Sequence, residues 1–200
     1  MDYKNSRDVA WQILIKHKVS ALPVGLQKIC RRERIKLVTY KEGAEAIKKL
    51  GLEEHTVGND AFTLRRVIFF DDTTPITRQR FSVAHELGHV LLHEPPEATV
   101  YNREISPNDN PEEAEANIFA SRLLAPLAVL HYLNVQSPEE IAEYCKISMV
   151  AARIRWERLC EIRQRDAEMR KHSWHGCFGM SPLEREVIRN FNDYIIKHRK

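Results

Sequence analysis

Apolar and polar positions alternate with two different periods along the chain, and each change of period marks a change of element. Residues 6 to 17 and 22 to 33 carry apolar side chains at helical spacing, and Pro23 suits the first turn of the second segment. Ile35-Lys36-Leu37-Val38-Thr39-Tyr40 has the β-branched, alternating character of a strand, and 41 to 50 returns to the helical period with Gly51 as its cap. Gly58-Asn59-Asp60 reads as a turn before Ala61 to Leu64, and Val67-Ile68-Phe69-Phe70 is an apolar strand closed by Asp71-Asp72. The pattern predicts a small sheet of two or three strands set among helices.

From Thr77 to His93 the recurrence of Phe81, Ala84, Leu87, Gly88 and Leu91 predicts a buried helix, ended by Pro95-Pro96. A polar stretch through Asn102, Ser106, Pro107 and Asn110-Pro111 separates it from a second helix at about 112 to 124. Beyond Pro126 only helices follow, with Ser137 as an N-cap, Pro138 in the first turn and a terminal helix from Pro182 to His198. Segment 134 to 165 has the cadence of a helix-turn-helix, with Ile141, Ala142, Ile147, Ala151 and Ala152 as packing positions. The expected fold is α+β and mostly helical, with a small sheet beside the 77–93 helix. The expected division is a domain at 1–133 followed by a helical region at 134–200.

Composition narrows the function classes. A hydrophobic content of 43% with 30% charged residues is that of a globular chain. Thirty-one Lys and Arg against 28 Asp and Glu leave a net charge of +3, too weak a field to imply a nucleic-acid binder. The longest uncharged apolar run, 123 to 130, is interrupted by Pro126 and falls short of a membrane span, and Met1-Asp2-Tyr3-Lys4 opens no signal-peptide pattern. Cys30, Cys145, Cys160 and Cys177 form no CxxC pair, which suggests free thiols in a reducing cytoplasm. His175 and Cys177, flanked by Gly176 and Gly179, read as a turn rather than as a ligand pair.

The chemistry lies in His85-Glu86-Leu87-Gly88-His89, an HExxH motif that a shuffled chain of this composition would show roughly 0.04 times. Residues four apart share a helix face with Cβ atoms about 6 Å apart, so both imidazoles can reach one ion, with zinc the natural occupant. At about 100° per residue the histidines fall on the flank of the apolar stripe, which places the metal at a cleft wall. The competing reading, a polar helix face that happens to carry two histidines, does not account for a glutamate between them.

A tetrahedral catalytic zinc needs a third protein ligand and an open position for water. His93 is four residues past His89, but its place beside Pro95-Pro96 suits an interaction with the helix-end carbonyls better. Glu112, Glu113 and Glu115 open the next helix. With Ala116, Phe119, Ala120, Leu123 and Leu124 as its buried stripe, Glu112 and Glu113 project toward the core and Glu115 toward the flank. A carboxylate on the apolar side is costly unless paired or metal-bound, which favours Glu113, whereas Glu112 and Glu115 suit the helix N-terminus electrostatically.

The run 78 to 93, followed by 113 to 126 (Glu113-Ala114-Glu115-Ala116-Asn117 through Leu124-Ala125-Pro126), resembles the ImmA/IrrE metallopeptidase family in order and spacing of both blocks. The resemblance covers about residues 8 to 160. It implies Glu113 as third zinc ligand, and Asn117, one turn on, as the residue that steadies a ligating histidine. Ala125 departs from the methionine usual in that family. Zn2+ held by His85, His89 and Glu113 would activate water, with Glu86 taking its proton and passing it to the leaving amine. Tyr101, His131 and Tyr132 are candidate oxyanion donors. The resemblance further implies a cytoplasmic protease that cleaves a helix-turn-helix repressor, in mobile-element transfer or a damage response.

Two other readings stand beside this one. Arg153, Arg155, Arg158, Arg163 and Arg165 make the 134–165 segment locally basic and could dock it on DNA, although Glu157, Glu161 and Asp166 interleave with them. The chain could also bind a repressor and sequester it without turnover, in which case the intact Glu86 would have no role.

Overall fold

The computed structural model describes residues 3–93, 110–172 and 180–199. The chain runs α1 (Tyr3–Lys16), α2 (Leu26–Arg32), β1 (Lys36–Thr39), α3 (Tyr40–Lys49), a 3-10 turn (Glu53–Thr56), β2 (Ala61–Leu64), β3 (Val67–Phe70), α4 (Ile76–Leu92), α5 (Pro111–Leu124), α6 (Leu127–Tyr132), α7 (Pro138–Cys145), α8 (Met149–His172) and α9 (Pro182–His198). This is the α+β arrangement that the periodicity predicts.

Local chemistry sets most of the boundaries. Thr39 and Glu42 form a reciprocal capping box at the start of α3. Ser181 and Glu184 do the same for α9, Ser137 caps α7, and Asn110 caps α5 with Pro111 behind it. At the end of α3, Gly51 at φ +66° lets its own N–H reach Lys48 O while Leu52 N–H reaches Ile47 O.

The second predicted helix starts later than its apolar spacing suggests. Leu22, Val24 and Leu26 are buried while Ala21, Pro23 and Gly25 are exposed. That is the two-residue period of extended chain, and Pro23 follows a cis peptide bond within it rather than opening a helix. Helical burial begins with Leu26, Ile29 and Cys30.

The sheet is ordered β1-β3-β2, with β1 parallel and β2 antiparallel to the central strand. Register sorts its side chains onto two faces. Leu37, Ile68 and Thr63 share one, and Val38, Phe69 and Phe62 the other, where they meet Ile47 of α3. Ile68 belongs to the main core with Ala84, Leu87, Phe119 and Leu123, so the first face looks onto α4. Asp60, at the entry to β2, accepts from Arg78 Nε of α4 at 2.6 Å and fixes how the helix lies along the sheet.

That core is continuous from Ala10 to Ile195 and draws on residues either side of 133, including Val135, Ile141, Leu159, Val187 and Phe191. α9 packs on α1 and α6, and α7 on α8. Two arginines stitch the layers together through backbone carbonyls. Arg80 of α4 donates to Val24 O at 3.0 Å, and Arg155 of α8, 5% exposed, donates from Nε and Nη2 to Ala125 O at 3.1 and 2.6 Å. Burial, with the nearby Arg122 and Arg158 guanidinium groups, holds Arg155 below the usual arginine range. Burial also pushes the Cys30 and Cys145 thiols up to about 12, which leaves both unreactive at neutral pH.

Arg155→Met should therefore leave the Ala125 carbonyl buried without these donors. The expected loss is about 1–3 kcal/mol of unfolding free energy, read from urea denaturation of the two proteins.

Candidate metal centre

α4 and α5 lie along each other, and their contact is unusually close at one point. A Cβ on Gly88 would sit 3.0 Å from Phe119 Cδ1, 3.2 Å from Ala116 Cα and 3.3 Å from Ala116 O. The hydrogen at Gly88 lets the helix lie this close to the Ala116 backbone and the Phe119 ring. The helices thereby present His85 and His89, four apart on α4, to Glu113, three residues before Ala116 on α5.

The three side chains converge. His85 Nε2 and His89 Nε2 are 3.1 Å apart, Glu113 Oε2 is 3.2 Å from the first and Oε1 is 3.0 Å from the second. Donors bound tetrahedrally at about 2.0–2.1 Å lie about 3.4 Å from one another, close to these separations. Among the described residues, His85, His89 and Glu113 are the grouping of three His, Cys, Asp or Glu side chains able to hold an ion. All three are buried, at 2%, 0% and 5% exposure.

The hydrogen bonding around them suits a cation. Asn117 Oδ1 lies 3.0 Å from His85 Nδ1, so Nδ1 carries a proton and Nε2 turns its lone pair toward His89 and Glu113. A nitrogen lone pair and a carboxylate pointing at one place repel unless a proton or metal ion stands between them. Burial would raise the Glu113 pKa; protons on the His85 and His89 rings, standing where an ion would, outweigh it through hydrogen bonds and charge and hold the carboxyl well below the usual range.

Glu86 is 5% exposed and sits on the sheet side of α4, where Thr63 Oγ1 of β2 donates to its Oε2 at 2.7 Å. Tyr40 is near enough that burial first, and then the charges of Glu86, Asp71 and Asp60, push its phenol up, while its hydroxyl donates to Asn59 O at 3.1 Å. The sequence reading missed both residues. Thr63 carried one weak signal, a hydroxyl at an inward-facing strand position, but its partner is 23 residues away and no local pattern could name it.

Other candidates fall elsewhere. Glu112 is exposed rather than turned to the core, because the buried stripe of α5 passes through Glu113 and Ala116. His93 caps α4 through its own N–H to His89 O, and its Nε2 lies 3.9 Å from Glu115 Oε2. His131 and Tyr132 stand on α6, which packs against α8 and α9. Tyr101, His175 and Cys177 lie outside the described residues. The predicted cleft wall is also revised. Residues 82 to 90 are buried without a break, because the sheet covers one side of α4 and α5 the other, with α1 and α2 also against it.

Two helices that bring an imidazole pair and a carboxylate to one buried point, beside a small mixed sheet, define a candidate single-ion centre in an α+β protein. Residues 30–157 match the Peptidase M78 family, described as the IrrE N-terminal-like domain, and the chain belongs to that family. The matched span runs from the end of α2 into α8 and includes β1, β2, β3, α4 and α5. A comparison with curated proteins gave no match.

Gly88→Ala should force α5 away from α4. The expected result is a loss of about 1–3 kcal/mol in stability and weaker metal uptake, measured by urea unfolding and by competition with a chromophoric chelator.

Proposed function

We propose that this chain is a zinc-dependent peptidase that hydrolyses a peptide bond in a protein substrate. Zn2+ is the cation that two imidazole nitrogens and one carboxylate suit best, with the fourth tetrahedral position left for solvent or substrate. The observation that carries the reading is the convergence of His85, His89 and Glu113 on one point, with Glu86 on the same helix between the two histidines. Membership of a peptidase family supports it.

In such a site the ion supplies Lewis acidity and lowers the pKa of water. The chain's own residues do the rest. Asn117 sets the ring orientation and tautomer of His85. Glu86 takes the proton of the attacking water and delivers it to the leaving amine. Burial removes bulk water around these groups, which strengthens their electrostatic action.

We take the substrate to be a helix-turn-helix repressor and the setting to be the cytoplasm, as the resemblance to ImmA/IrrE proteins implies. Among the described residues no helix is long and apolar enough to cross a membrane. DNA docking through the 134–165 segment finds less support. α7 and α8 do pack against each other across residues 146–148, but three of the five arginines have partners within the chain. Arg155 is buried on Ala125 O, Arg158 pairs with Glu161, and Arg163 lies 5.6 Å over the Trp156 ring.

Glu86→Gln is expected to fold, to bind zinc as the native chain does, and to cleave about 10²–10⁴-fold more slowly. Chelation of the native protein should abolish cleavage, and added Zn2+ should restore it. Purified repressor incubated with each protein and resolved by electrophoresis reads all three outcomes; full activity of the variant would refute the role of Glu86. Relief of repression in cells by the inactive variant would favour sequestration instead.

A further inference from the structure

We infer that Thr63 is a positioning residue, whose hydroxyl holds the Glu86 carboxylate in the orientation from which it accepts the proton of water. The inference rests on the peptidase reading and extends it to the sheet. Thr63 pairs with Ile68 across β2 and β3, so its side chain shares the α4 face with Ile68, Leu37 and Phe70. These neighbours are apolar, and Thr39, opposite Phe70 on the same face, has its hydroxyl engaged in capping α3.

A hydroxyl at 0% exposure on such a face needs a hydrogen-bond partner, and it has one in Glu86 Oε2 at 2.7 Å. An O–H donor on a buried carboxylate makes a short, charge-assisted bond, stronger than one between neutral groups. Glutamate has three side-chain torsions, so α4 alone places the Glu86 Cα and leaves the direction of its carboxylate open. Holding Oε2 against the sheet restricts the orientation of the group and with it the direction of Oε1. A general base acts only within hydrogen-bond reach of the proton it abstracts, so that direction matters to the rate.

A packing role and a positioning role predict opposite orders for two variants. Thr63→Val keeps the shape and the strand preference but loses the donor; Thr63→Ser keeps the donor and loses a methyl group. The full-length protein loaded with zinc is assayed on one peptide selected by the native chain from a quenched fluorescent library, with metal content measured in each variant. Positioning predicts unchanged zinc, a kcat for Thr63→Val lower by about 10- to 100-fold with KM within about twofold, and Thr63→Ser much closer to native. If Thr63→Val matches or exceeds Thr63→Ser in kcat, the inference is overturned.

A second readout needs no turnover. The infrared carboxylate band of Glu86, isolated as the difference between native and Glu86→Gln spectra, should shift in Thr63→Val and stay in place in Thr63→Ser. If the native protein hydrolyses no peptide in the library, the peptidase reading fails and this band decides alone. A shift confined to Thr63→Val then keeps Thr63 as the group that orients Glu86, and identical bands in the two variants remove it.

Discussion

The site depends on how closely α4 and α5 can approach. Gly88 lies against the Ala116 backbone, and the histidine pair and Glu113 sit on either side of that contact. The two Nε2 atoms lie 3.1 Å apart and each is within 3.2 Å of one Glu113 oxygen, so moving α5 away from α4 would draw Glu113 off both histidines. The spacing of the backbones comes first, and the metal-binding capacity of the side chains follows from it.

The same closeness is unfavourable to folding on its own terms. Two imidazoles and two carboxylates are removed from water within two turns of one another, and each must be satisfied by a specific partner. Asn117 serves His85, the two histidines serve Glu113 and Thr63 serves Glu86. A continuous apolar core from α1 to α9 surrounds the group and supplies the stability that these burials cost. Rigidity is the gain, since each of these side chains is held from a second element as well as from its own.

The helices after residue 133 contribute to that frame. α7, α8 and α9 place Ile141, Cys145, Leu159, Val187 and Phe191 in the main core. Arg155 binds the carbonyl of Ala125, directly after the helix that carries Glu113. The basic character of α8, legible as a possible DNA-binding feature, thus includes a guanidinium that acts inside the protein as a fastener between helices.

Much of this was legible from local pattern. Apolar period and capping residues located α3, α4, α5 and α9 to within a residue or two, and the start of α7, because helix starts are decided by neighbours three and four positions away, whereas α6 had no predicted bounds and α8 runs on to His172, past the 134–165 segment. HExxH put both imidazoles on one helix face, since that geometry is a property of the helix alone. The acidic start of α5 narrowed the candidates for a third ligand to a few glutamates. Tertiary structure decided what depends on elements distant in sequence: that Glu113 turns inward while Glu112 faces solvent, that α4 is enclosed rather than lining a cleft, that residues 22–26 run extended, and that Thr63 meets Glu86. Periodicity records which face of an element is buried, whereas the partner buried against it is set by packing among segments far apart in the chain.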